Sequence, residues 1–63
     1  MVSIMLRTNA RVFFTNEPHI QGTVVEYPAV DPDGFAHDDI VNVLWDTGDY
    51  DLVDIDDVTV IDN

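Results

Sequence analysis

Val41-Asn42-Val43-Leu44-Trp45-Asp46-Thr47-Gly48-Asp49-Tyr50-Asp51-Leu52-Val53 is the stretch on which the fold turns. Valine and the aromatic residues favour pleated backbone, and they recur here in period two. Val41, Val43 and Trp45 share one face while Asn42 takes the other. Thr47-Gly48 supplies a turn, and the chain returns over Tyr50 to Val53. The segment predicts a β-hairpin. With a two-residue loop, Trp45 would face Tyr50 and Val43 would face Leu52. Asn42, Leu44, Asp46, Asp49, Asp51 and Val53 would then lie together on the opposite face.

Working outward, the same periodicity predicts strands over Arg11 to Phe14, Ile20 to Tyr27, Ile40 to Trp45 and Val58 to Ile61. Gly22 inside the second run marks a bulge or a close backbone approach. Pro28, Pro32 and Gly34 break the chain, and Asp31-Pro32-Asp33-Gly34 has the composition of a tight turn. Asp54-Ile55-Asp56-Asp57 predicts a single 3₁₀ turn. No ten-residue window carries a helical stripe, so the class is all-β. An open sheet in so short a chain would leave one apolar face in water, and rolling it up buries that face. The expectation is therefore a five-stranded barrel over residues 10–63, with one 3₁₀ turn before its last strand. Residues 1–9 form an N-terminal segment or an extra edge strand, since Val2, Ile4 and Leu6 alternate with Ser3 and Met5.

Val41-Asn42-Val43-Leu44-Trp45-Asp46-Thr47-Gly48-Asp49, with Val53, Asp57-Val58 and Ile61 after it, resembles the V-x-V-x-W-D-D-G signature of Tudor-like and related SH3-like barrels. Arg11-Val12 and Gly22-Thr23-Val24-Val25 look like the R-V and G-x-V elements of the same barrels, so the resemblance spans residues 10–61. It implies an SH3-like fold. For the Tudor domains that read methylated lysine or arginine it would also imply an aromatic cage, whose rings attract a desolvated cation. The position between the Asp and Gly of the turn, where such a cage places an aromatic, holds Thr47. Trp45, Tyr50, Tyr27, Phe13 and Phe14 are the remaining candidates. The pattern assigns Trp45 and Phe13 to the core and leaves Tyr50 and Tyr27, with polar tips, partly exposed.

The chain of 63 residues has room for one domain. It lacks cysteine, which removes disulfides and thiolate metal sites. Its 46% hydrophobic content is too high for a disordered acidic tail, and no apolar run approaches a membrane span. No signal-peptide pattern opens the chain, so a cytoplasmic location is expected, in the host cytoplasm if the source is viral. Thirteen acidic residues against two basic ones give a net charge of −11. Such a surface repels phosphates, which excludes direct nucleic-acid binding.

Motifs that suggest chemistry fail on their surroundings. Asp46-Thr47-Gly48 spells the D-T-G of aspartic proteases, yet Asp49 follows it and the chain has little material for a substrate cleft. Asp31-Pro32-Asp33-Gly34 lacks the further acidic ligands of a calcium loop. His19 and His37 lack metal-ligand spacing to nearby acids and fall in predicted loops. Neither an enzyme, nor a metal site, nor a cofactor is expected.

The acidity itself is the informative feature. Residues 1–30 balance Arg7 and Arg11 against Glu17 and Glu26, so residues 31–63 carry the whole excess as eleven aspartates. A small domain needs a net charge of only about 2–8 for solubility, and held-together like charges oppose folding. Asp49 and Asp51 would stand roughly 6.6 Å apart on one strand face. Asp46 would extend that row across the hairpin, and Asp54, Asp56 and Asp57 would continue it. Carboxylates so spaced imitate a phosphate backbone. The expected function is non-enzymatic binding, and inhibition or modulation, of a basic nucleic-acid-handling protein such as a polymerase or nuclease. Tyr50 or Leu44 would add an apolar anchor. In character, though not in motif, this resembles small acidic phage-encoded inhibitors. The competing expectation is a Tudor-like peptide reader or a structural subunit that uses an aromatic surface and a sheet edge.

Overall fold

A computed structural model describes residues 6–61. Seven strands follow one another: β1 (Arg11–Phe14), β2 (Glu17–Glu26), β3 (Ala29–Val30), β4 (Ala36–His37), β5 (Ile40–Trp45), β6 (Tyr50–Asp54) and β7 (Val58–Val60). A 3₁₀ turn, Ile55–Asp57, links the last two, as the sequence predicts, and the described residues contain no α-helix. The all-β expectation holds. Five strands make one antiparallel sheet in the order β6-β5-β2-β1-β7, so the last strand returns beside the first. The sheet does not close: β6 and β7 are its two ends, and no ladder among the described residues joins them. The expected barrel is, to this extent, an open sheet.

One face of the curled sheet builds the core. Val12 of β1, Val24 of β2 and Val41 and Val43 of β5 are wholly buried, and Trp45 and Val58 complete the cluster. Each valine so buried stabilises the fold by roughly 1.5–3 kcal/mol relative to exposure. Phe14 meets Trp45 edge-on, with ring centroids 6.1 Å apart at 84°. The expectation that Phe13 joins the core is corrected here. Val12 and Phe14, two residues apart, share the inner face, and Phe13 between them stands in the row of Gln21 and Thr59. Tyr27 packs against the core while its hydroxyl donates to the Asp38 carbonyl.

Gly22 sits opposite Val12 on one side and Trp45 on the other. A Cβ there would lie 2.7 Å from Val43 Cγ1, 2.8 Å from the Leu44 carbonyl oxygen and 2.9 Å from Trp45 Cε3. The close approach read from the sequence is therefore real, and it lets β2 carry the Trp45 ring across its backbone.

β3 and β4 form a separate small hairpin, Ala29 opposite His37 and Val30 opposite Ala36, closed by the Asp31-Pro32-Asp33-Gly34 turn. Asp31 organises it: Oδ1 accepts from the Asp33 and Phe35 amides at 3.0 and 2.9 Å, and its carbonyl accepts from Gly34 N–H at 2.9 Å. Strands of two residues show no periodicity, which is why the sequence predicts the turn and not the hairpin. His37 accordingly lies in β4, and His19 in β2, where loops were expected. Of the predicted N-terminal segment, residues 1–5 fall outside the described residues. Residues 6–9 form no strand, but Leu6 packs on the core and the Asn9 amide donates to the Val24 carbonyl at 2.8 Å.

Candidate functional site: an acidic strand edge

The β5–β6 hairpin decides where the aspartates stand. Trp45 N–H donates to the Asp49 carbonyl and Gly48 N–H to the Trp45 carbonyl, both at 2.8 Å, with Gly48 at φ +99°. The loop is thus three residues, Asp46-Thr47-Gly48, ending in a glycine with the positive φ that a bulged hairpin requires. The two-residue loop considered from sequence is corrected, and the register moves by one. Leu44 pairs with Tyr50, Val43 with Asp51, Asn42 with Leu52, Val41 with Val53 and Ile40 with Asp54. A shift of one residue exchanges the faces of the returning strand. Asp49 and Asp51 therefore project on the Val43 and Trp45 side, and Tyr50, Leu52 and Asp54 project outward beside Leu44 and Asn42.

Asp46 leaves the row. It lies on the outer face, where the Arg11 guanidinium grips it with two hydrogen bonds of 2.8 and 2.9 Å. Arg11 also donates to Thr23 Oγ1 at 3.0 Å and Gln21 Oε1 at 3.3 Å, which fixes its fork across β2. The hydrogen bonds from Arg11 hold the Asp46 carboxyl below the ordinary carboxylate range. This carboxylate is neutralised within the molecule.

The other acids expected at the site run from Asp49, just before β6, along that strand and into the turn after it. Asp49 accepts from Thr47 Oγ1 at 3.3 Å and is otherwise open, and Asp51 is exposed because β6 ends the sheet. Asp54 caps the 3₁₀ turn, its Oδ1 accepting from Asp56 N–H at 3.1 Å. Asp56 stands at the rim of a groove lined by Leu6, Tyr27, Ile55 and Val58, and Asp57 is half-buried, its carbonyl accepting from Thr15 N–H at 2.8 Å. Among the described residues the ion pairs are Arg11–Asp46, His37–Asp31 and His19–Glu17, so none of these five aspartates has a cationic partner. Tyr50 is 67% exposed and Leu52 54%, with Leu44 half-buried beside Tyr50. Leu52 joins the site as a residue that sequence reading placed on the inner face.

A second polar cluster went unread in the sequence. His37 Nε2 lies 2.7 Å from Asp31 Oδ2 across the β3–β4 hairpin. The bond to His37, followed by that from the Phe35 amide, lowers the Asp31 carboxyl, and the same bond to Asp31 raises His37. Trp45 is 8% exposed and locked against Phe14, so an aromatic cage built on it would require the core to open. Among the described residues no group of three or more metal-ligating side chains converges, and no helix is long and apolar enough to cross a membrane. Compared with protein-family models, curated proteins and solved structures, the chain matches none.

Proposed function

We propose that the protein is a non-enzymatic interaction module that docks its acidic β6 edge on a basic surface of a nucleic-acid-handling protein, and thereby inhibits or modulates it. One observation carries this reading: Asp49 just before β6, Asp51 and Asp54 within it, and Asp56 and Asp57 in its 3₁₀ turn follow one another with no cation among the described residues paired to them. Holding like charges together costs folding stability, and an external cationic surface offsets that cost. A strand and a capped turn also fix the backbone that carries these aspartates, so little main-chain ordering remains to oppose binding. The SH3-like architecture belongs to the same proposal. The strand order β6-β5-β2-β1-β7 and the 3₁₀ turn before the last strand support it, with the barrel left open between its end strands.

Competition tests the reading. The partner captured at low salt should be released by added duplex DNA, because both ligands would occupy one cationic surface. Asp49→Asn with Asp51→Asn should reduce capture, whereas Asp46→Asn should leave it within about twofold, since Arg11 already balances that charge. Capture indifferent to DNA and to the double substitution would remove the proposal.

A further inference from the structure

We infer that the free edge of β6 takes up an extended segment of the partner as an added strand, one in which cationic and apolar side chains alternate. The inference rests on the reading of the protein as an acidic interaction module and specifies how the partner chain is held. Hydrogen bonds from Trp45 N–H to the Asp49 carbonyl at 2.8 Å, and from Ile55 N–H to the Asp39 carbonyl at 3.0 Å, bracket the β5–β6 ladder. In an antiparallel ladder, directly bonded pairs alternate with unbonded ones. Asp49, Asp51 and Val53 therefore turn their backbone groups toward β5, and Tyr50 and Leu52 turn theirs toward the open edge. Two N–H and two C=O groups lie ready for another strand, and β6 is terminal in the sheet order.

The side chains select the occupant. On the outer face, Tyr50 and Leu52 offer exposed apolar surface next to Leu44. On the other face, Asp49 and Asp51 stand exposed, with no cationic partner among the described residues. An added strand sends alternate side chains to these two faces, so it pairs best when lysine or arginine alternates with aliphatic or aromatic residues. β7, the opposite end strand, has no large apolar side chain as exposed as these. A second copy of this chain fits poorly, because each copy carries −11 and a β6–β6 pair would bring acidic edges together.

Two blocked peptides of equal length and charge separate strand addition from charge attraction: acetyl-Lys-Val-Lys-Val-Lys-Val-Lys-amide and its counterpart with glycine in place of valine. Amide exchange of the isotope-labelled protein, followed by NMR, reads the edge directly. With the valine peptide, the Tyr50 and Leu52 amides should exchange slower by about tenfold or more, with little change from the glycine peptide. Leu52→Pro removes one edge donor from a position where an end strand tolerates proline, and it should weaken the valine peptide about tenfold. Unchanged exchange at Tyr50 and Leu52, with both peptides bound equally, would overturn strand addition and leave the acidic-module reading standing. Failure of both peptides to bind would count against both. Edge protection that appears with protein concentration alone would assign the edge to a second copy and overturn the proposal.

Discussion

At Gly22 a single hydrogen atom decides whether β5 can lie against β2. Alanine there would press a methyl against Val43, the Leu44 carbonyl and the Trp45 ring, all nearer than 3 Å. Two of these neighbours belong to the core and the third is backbone, so none yields easily. Gly22→Ala should cost about 2 kcal/mol or more. Gly48→Ala meets no atom within 4 Å and bears only the penalty of its φ of +99°, about 1 kcal/mol. Denaturant unfolding of the two variants should rank them in that order, and equal losses would deny the close approach. Arg11 and His37 show how partners fix charge at this scale. Because Asp31 raises His37, the histidine side of that pair stabilises fully below the ordinary histidine value of about 6.5 and fades as pH rises through the raised one. Because His37 lowers Asp31, the carboxylate side is present above about 3.9 and is lost as pH falls through the lowered value. The pair thus supports the β3–β4 hairpin best between those limits. In an NMR titration, Asp31→Asn should bring the His37 midpoint down, and an unmoved midpoint would show that the contact is absent in solution.

At the scale of elements, the β5–β6 hairpin joins legibility and function. Both strands were readable from Val41, Val43, Trp45 and the Gly48 turn, because burial on one face imposes period two. Loop length was not readable: Thr47-Gly48 and Asp46-Thr47-Gly48 both end on the required glycine, and only backbone geometry distinguishes them. That one residue moved Leu52 outward and Asp49 and Asp51 to the other side, while Asp46 kept its parity behind Trp45 and met Arg11. The Arg11–Asp46 contact, 35 residues apart in sequence, needs the β1–β2 and β2–β5 registers together before it can be seen. That Phe14 and not Phe13 meets the core was legible in the strand itself, since Phe14 shares a face with Val12 and Phe13 shares one with the charged Arg11. Val43→Ala, at the buried centre of β5, should cost about 2 kcal/mol. For a fold of this length, with total stability on the order of 3–9 kcal/mol, that is a large share, visible as an early thermal transition.

The whole molecule is a small curved sheet whose described aspartates form two groups, Asp31, Asp33, Asp38 and Asp39 at and beside the β3–β4 hairpin and Asp46, Asp49, Asp51, Asp54, Asp56 and Asp57 on the β5–β6 hairpin and the turn beyond it. Its longest extent is 34 Å, and at 0.01 M salt the screening length is about 30 Å, so nearly every aspartate then feels every other. At about 0.15 M the length falls to about 8 Å and only neighbours such as Asp49 and Asp51 still repel. Raising salt across that range should therefore stabilise the fold by an amount on the order of 1 kcal/mol, a rise of about 4–8 °C in melting temperature. A melting temperature flat in salt would mean that the charges do not oppose folding. Binding should respond in the opposite sense, because the same ions screen the attraction to a cationic partner. The most direct measurement is the dissociation constant for the captured partner at about 0.05 M and 0.3 M salt, with the wild-type chain, Asp46→Asn and Asp49→Asn/Asp51→Asn. The double variant should bind about tenfold more weakly at low salt, the gap should narrow at high salt, and Asp46→Asn should track the wild type. Equal affinities for all three chains at both salt concentrations would contradict docking through the acidic edge.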